Sequence, residues 1–155
     1  MRRKDREITD LRRIAEILQA AQTASVAFGG EGPYVIPMNY GFAFEDGRFT
    51  LYMHGAQEGE KIDRIKADPR AAFTVYVNNR VYGEGDEGSN YTSSFDSVCG
   101  SGKICFLDDE EKKHGLAAVM AHYAPGRTFT FDQALLGATC VMALEVEMIS
   151  GKHHD

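Results

Sequence analysis

Residues 35–69 read VIPMNYGFAFEDGRFTLYMHGAQEGEKIDRIKADP, and their pattern decides the fold. Ile36, Met38, Tyr40 and Phe42 alternate with Pro37, Asn39 and Gly41, the period of two that sends one set of side chains into a core and the other outside. Asp46-Gly47 is a strong turn dipeptide, so strands are expected over Pro33 to Phe44 and Arg48 to His54, joined as a hairpin. Gly55 to Gly59 is then a glycine-flanked bend. Glu60 to Ala67 follows as a short helix, stopped at Asp68-Pro69 because the residue before a proline is driven out of helical geometry.

Upstream, Thr9 or Asp10 can cap a first helix whose apolar positions Leu11, Ile14, Leu18 and Ala21 follow helical spacing, ending near Gln22. Ala24 to Phe28 reads as a strand that turns through Gly29 to Gly32 into the next. Downstream come a strand over Ala71 to Asn78, a long irregular polar segment from Asn79 to Phe95, and a strand over Ser97 to Phe106. Asp108 with Glu111 resembles a capping box opening a second long helix, with Leu116, Val119, Met120 and Tyr123 on its buried face. In the last strand, Thr139 to Ile149, alternation turns Cys140, Met142, Leu144, Val146 and Met148 one way and Glu145 and Glu147 the other. His153 and His154 read as a tail. Six strands with two or three helices predict a mainly β domain, α+β by content, in which helices flank a six-stranded barrel. With no internal repeat or low-complexity linker, residues 1–155 form one domain.

Seventeen basic and 23 acidic residues give a net charge of -6, which argues against nucleic acid as a partner and requires any anionic ligand to find a local basic pocket. No apolar run approaches the ~20 residues that span a bilayer, so no membrane role is expected. The opening MRRKDREITD is basic but has no apolar stretch behind it, and Cys99, Cys105 and Cys140 form neither an even set nor a Cys-x-x-Cys pair. A cytoplasmic location and the absence of a metal site are the expectations. The interleaving of Arg2, Arg3, Lys4, Arg6, Arg12 and Arg13 with Asp5, Glu7 and Asp10 reads as a solvated or interface arm.

Chemistry concentrates in the 35–69 stretch. The bend from His54 to Lys61 leads from a strand end into a helix start, where free N–H groups and the helix dipole favour an anion, and Lys61 adds a point charge. Taken alone, Lys61 reads as a solvated helix lysine. Pro37, Asn39 and Gly41 make an odd outer face, since proline removes a ladder donor and glycine a side chain; the face suits either a bulged edge strand or a backbone lying against a flat ligand. His54 is a structural histidine or, beside an anion pocket, a ligand-bonding or proton-relaying one. His114 and His122 lack the i, i+4 spacing of a zinc helix, and neither a hydrolase elbow nor a phosphate-binding loop motif is present.

Six blocks carry a family resemblance: MRRKDREITD, VIPMNYGF, LYMHGA (Leu51 to Ala56), EKIDRIKADPRAAF (Glu60 to Phe73), SVCGSGK (Ser97 to Lys103) and LEVEMISGK (Leu144 to Lys152). In this order they resemble the pyridoxamine 5'-phosphate oxidase-like flavin proteins, in the branch related to nitroimidazole-resistance reductases. The resemblance implies an FMN-binding split β-barrel that forms a homodimer with FMN between the subunits. It implies that the strand matching Pro37, Met38, Asn39 and Tyr40 runs along the isoalloxazine, that Tyr52, Met53 and His54 continue the pocket, and that Lys61 holds the phosphate. Ser97 and Val98 match further positions near the cofactor. Glu60 stands where an arginine is common. The family's oxidases of vitamin B6 carry a C-terminal extension with tryptophan and arginine; this chain ends Lys152-His-His-Asp155 and has no tryptophan, so B6 oxidation is not expected. The implied activity is that of an FMN-dependent oxidoreductase, with His54 its catalytic candidate, serving a small molecule such as a nitroaromatic or quinone and a reduced electron donor. The alternatives are a non-catalytic flavin-binding or sensing module, or a relative that binds haem or a deazaflavin.

Overall fold

The computed structural model describes residues 3–155; Arg2, counted above in the basic arm, lies outside the described residues. Seven strands are present among them: β1 (Glu7–Ile8), β2 (Thr23–Phe28), β3 (Val35–Glu45), β4 (Arg48–Gly55), β5 (Arg70–Tyr82), β6 (Thr92–Leu107) and β7 (Cys140–His154). The helices are α1 (Leu11–Ala20), α2 (Glu60–Ala67), α3 (Asp109–Tyr123) and α4 (Gln133–Ala138). The sheet runs β1-β7-β4-β3-β2-β5-β6, all antiparallel, and β6 pairs back onto β7. Six strands therefore close into the expected barrel, which removes their open edges, and the short β1 adds to β7 at Glu7–Lys152 and Ile8–Gly151.

Alternation fills the barrel. Val26, Tyr40, Leu51, Met53, Val75, Val98, Met142 and Leu144 are fully buried inside it, joined by Ile14, Ile17 and Leu18 from α1 and Ile62 and Ile65 from α2. Asp10 settles the first cap, since its carboxylate accepts from the Arg12 backbone N–H at 2.9 Å, and α1 ends at Ala20. Helix α3 lies outside the barrel against β3, β4 and β7. Gly41 makes that approach possible: a Cβ there would stand 2.2 Å from the Ala118 carbonyl oxygen. The missing side chain on β3 thus admits a helix backbone, which corrects the flat-ligand reading at this position.

Other expectations need correction. Asp108 makes no side-chain cap bond, and only Leu116 and Val119 of the expected α3 face are buried, Tyr123 being 39% exposed. The 79–95 segment is far less irregular than expected: β5 continues to Tyr82 and β6 begins at Thr92, so the two pair as an arm across a register shift at Val77/Arg80. The last strand runs on to His154, and its alternation breaks at a β-bulge opposite Ser101/Gly102, which turns Met148 outward to 70% exposure. The supposed tail is anchored, because the His153 Nδ1–H donates to Asp96 Oδ1 at 2.7 Å. Strand β1 and helix α4 were too short for a periodic signal.

Candidate functional site

Strand alternation sorts the ten predicted site residues. Pro37, Asn39, His54 and Ser97 point out of the barrel, whereas Met38, Tyr40, Met53 and Val98 point into its core and reach a ligand only through their backbones. Tyr40 is further committed, since its buried hydroxyl donates to the Leu18 carbonyl at 2.6 Å and burial pushes its acidity far down. Tyr52 faces outward but lies beneath α3, where the His114 ring meets it edge-on at 5.4 Å.

Tyr40–Met53 is the last registered pair between β3 and β4, so Asn39 and His54 are the next residues of the two strands, side by side on the outer face. From His54 the chain bends into α2, whose N-cap, Gly59, adopts φ 117°, a region that glycine enters without strain. No side chain caps that start. The Lys61 ammonium is laid against Gly55, where a Cβ would come within 2.5 Å of Nζ. Its sole hydrogen-bond acceptor among the described residues is the weak Met38 thioether at 3.8 Å, and no carboxylate pairs with it. Burial lowers the Lys61 pKa from its ordinary value. A half-buried ammonium has three donors, and an anionic oxygen is the kind of group that can accept from it here.

His54 shares this environment. Burial first, and then the Lys61 cation, push its imidazole below the usual histidine value, so the ring is neutral at pH 7. Glu60 does not oppose the cation, because it is held by the Arg64 guanidinium at 3.0 Å, and Arg64 also bonds the Gly32 carbonyl at 3.1 Å and stacks on Tyr34. Cys140 pairs across from Gly55 and opens into a cavity of about 220 Å³ between α2 and α3 that Lys66 and Lys112 also line. Burial raises the Cys140 thiol pKa, and Lys112, Lys61 and Lys66 oppose that rise, so three cations converge here in a chain of net charge -6.

Ser97 sits on the far side of the same outer sheet face, while its neighbour Val98 points into the core. Asn39 pairs with Thr23, and Tyr76 with Ser97. Thr23 and Tyr76 each lie two residues beyond the Ser25–Thr74 pair, so one line runs His54, Asn39, Thr23, Tyr76, Ser97. Three strand spacings of about 4.8 Å separate Asn39 from Ser97, so the two ends cannot grip the same small group within one subunit. Tyr76, 52% exposed next to Ser97 on this face, is a residue the sequence reading missed. Its outward direction was readable from alternation with Val75, but its place opposite Ser97 depends on pairing register, which local sequence does not display.

A family model described as pyridoxamine 5'-phosphate oxidase matches residues 10–153. The chain belongs to that family. Among solved structures, this member superposes on a candidate 5-nitroimidazole antibiotic resistance protein from Bacteroides thetaiotaomicron with a TM-score of 0.82 and 29% identity, over 95% of this chain and 86% of that one. Two further structures share its fold: an FAD and haem binding protein from Mycobacterium smegmatis (TM-score 0.82, 21% identity, 97% and 74% covered) and the flavocytochrome Anf3 from Azotobacter vinelandii (TM-score 0.80, 22% identity, 100% and 72% covered). Comparison with curated proteins returns no match. The split barrel expected from the resemblance is thereby borne out, and no helix among the described residues is long and apolar enough to cross a membrane.

Proposed function

We propose that this chain is an FMN-dependent oxidoreductase acting on a small acceptor, such as a nitroaromatic or quinone, with the flavin held between two copies of the subunit. The observation that carries this reading is Lys61, a half-buried ammonium with no anionic partner among the described residues, at the uncapped start of α2. Lys61 and the first-turn N–H groups hold the phosphate, Lys66 and Lys112 add to the local positive field, and Pro37 and Asn39 support the ring along the outer face of β3. The names of the structural relatives, one a candidate nitroimidazole resistance protein and two that include flavin or flavocytochrome in their descriptions, support a flavin over other anionic ligands.

Flavin, when bound, supplies the transfer of electrons or hydride between a reduced donor and the acceptor. The protein's part is binding, orientation and proton handling. His54 stands beside Lys61 as a neutral imidazole, able to donate a hydrogen bond from one ring nitrogen and accept at the other, which suits it to hold an acceptor or exchange a proton with it. The homodimer is supported by the separation of Ser97 from Asn39: a second copy related by a two-fold parallel to the strands brings its own Ser97 edge over the first copy's Asn39 edge.

The test is the visible spectrum of the purified protein, followed by oxidation of reduced nicotinamide in the presence of nitroaromatic and quinone acceptors. A flavin spectrum with acceptor-dependent turnover is expected. A haem Soret band in place of flavin, or bound flavin without turnover on any acceptor, overturns the reading.

A further inference from the structure

The strand order β7-β4-β3 puts β4, which ends at Gly55, between the strand that carries Asn39 and the strand that begins at Cys140. Gly55 and Cys140 are a registered pair with Cα atoms about 5 Å apart. Registered partners share a face, so the Cys140 side chain lies on the face of Gly55 against which the Lys61 ammonium rests. Pro37 and Asn39 lie to one side of Gly55 and Cys140 to the other. On that second side is the cavity of about 220 Å³ between α2 and α3. A self-contained small-molecule site takes about 300–1,000 Å³. The cavity is therefore of a size to hold part of a ligand whose remainder is bound next to it.

Lys66 and Lys112 line it, and no carboxylate does among the described residues. The lysine ion pairs among those residues are Lys103–Glu147 and Lys113–Glu110, so both cavity lysines lack a carboxylate partner. Lys112 is held in place, because its ammonium donates to the Leu136 carbonyl at 3.0 Å and keeps two donors for a ligand. Lys66 stands exposed on the last turn of α2. Both, together with Lys61, come close enough to Cys140 to oppose the burial that raises its thiol pKa. Ile62 and Phe106 give the cavity apolar walls, while the Thr139 hydroxyl and the Gln57 amide, which donates to the Gly137 carbonyl, add polar groups. Two unpaired cations beside apolar walls, in a chain of net charge -6, suit a phosphate joined to a flat apolar base.

We propose that this cavity is an adenylate subsite, through which the site at Lys61 holds the dinucleotide flavin FAD as well as FMN. The inference rests on the flavin reading above and extends its ligand by one nucleotide. FAD differs from FMN by an adenylate joined to the flavin phosphate. With that phosphate at Lys61 and the ring on the β3 side of Gly55, the adenylate leaves on the β7 side. There Lys66 and Lys112 meet its phosphate, and the cavity receives the base. FMN fills only the Lys61 half.

Isothermal titration calorimetry of the flavin-free full chain with FMN and with FAD tests this, on wild type, Lys66→Ala and Cys140→Phe. Lys66 is exposed, so its variant keeps the fold, and the phenylalanine fills the cavity. Both flavins are anionic, so a change in the general positive field weakens both, and the ratio of their affinities reads the cavity itself. Wild type should bind FAD about tenfold or more tightly than FMN, and each variant should remove most of that preference. A wild-type affinity for FAD no greater than for FMN, or a preference that survives both variants, overturns the subsite and leaves the flavin reading standing. Binding of neither flavin overturns that reading and the subsite with it.

Discussion

Lys61 lies close enough to His54 to lower the pKa of its imidazole, and the roles of the two residues separate experimentally. His54 is exposed on one side, so His54→Ala removes little packing; it should leave the melting temperature within about 2 °C while cutting acceptor turnover, as scanning fluorimetry and steady-state assays will show. Because the folded imidazole binds its proton below the ordinary value of about 6.5, His54 subtracts stability only as the pH falls below that value. Asp96 works the other way. It is the one buried charged residue among the described residues, held by Asn78 at 2.7 Å, His153 at 2.7 Å and Arg13 at 3.2 Å. Burial pushes its pKa up, but the bonds from Asn78 and His153 and the Arg13 charge outweigh burial and leave it lowered. Its bond to Asp96 is the main cause that raises the His153 pKa. The Asp96 contribution is therefore present above the ordinary carboxylate value and lost as pH falls through the lowered one. The His153 contribution is present below about 6.5 and lost as pH rises through its raised value. Asp96→Asn should cost about 1–3 kcal/mol near pH 6, the half-exposed partners limiting the loss, and the deficit should narrow at alkaline pH in urea melts. None of this cluster was legible in the sequence, because it joins α1, β5, β6 and β7 across distances that carry no local pattern.

At the scale of elements, Gly41 couples strand β3 to helix α3. Gly41→Ala forces the new methyl into the Ala118 carbonyl, so the helix must lift, at a cost of about 2 kcal/mol or more and a drop of roughly 4–8 °C in thermal midpoint by calorimetry. The same position shows what periodicity reveals and what it leaves out. Alternation in Ile36 to Phe42 was enough to find the strand and its inner face, yet a glycine on the outer face marks a close approach without saying what approaches. The helix Glu60–Ala67 was found with its bounds because Gly59 and Asp68-Pro69 punctuate it chemically. The β5–β6 arm escaped because Asn79 to Phe95 is polar and glycine-rich, and its strands are paired only with each other, so no buried face imposes a period of two. Met148 escaped for a different reason: a bulge adds one residue and reverses every later side chain.

Over the whole molecule, the closed barrel was legible because six strands with turn signals and few helices have few ways to bury an apolar face. The geometry of the candidate site was legible in part. Local chemistry identified the strand end, bend and helix start around His54 and Lys61, while the outer face that links Asn39 to Tyr76 and Ser97 exists only once four strands are in register. A dimer should therefore accompany flavin binding, and light scattering at micromolar concentration should give twice the subunit mass of 17.1 kDa. The central claim is that Lys61 anchors a flavin phosphate, and a fluorescence titration of FMN and riboflavin against wild type and Lys61→Ala tests it most directly. Hydrogen bonds to charged groups contribute about 1.5–3 kcal/mol, so the variant should bind FMN about ten- to a hundredfold more weakly, while riboflavin, which has no phosphate, binds both proteins alike. Equal losses for the two ligands, or no loss for either, would contradict the account.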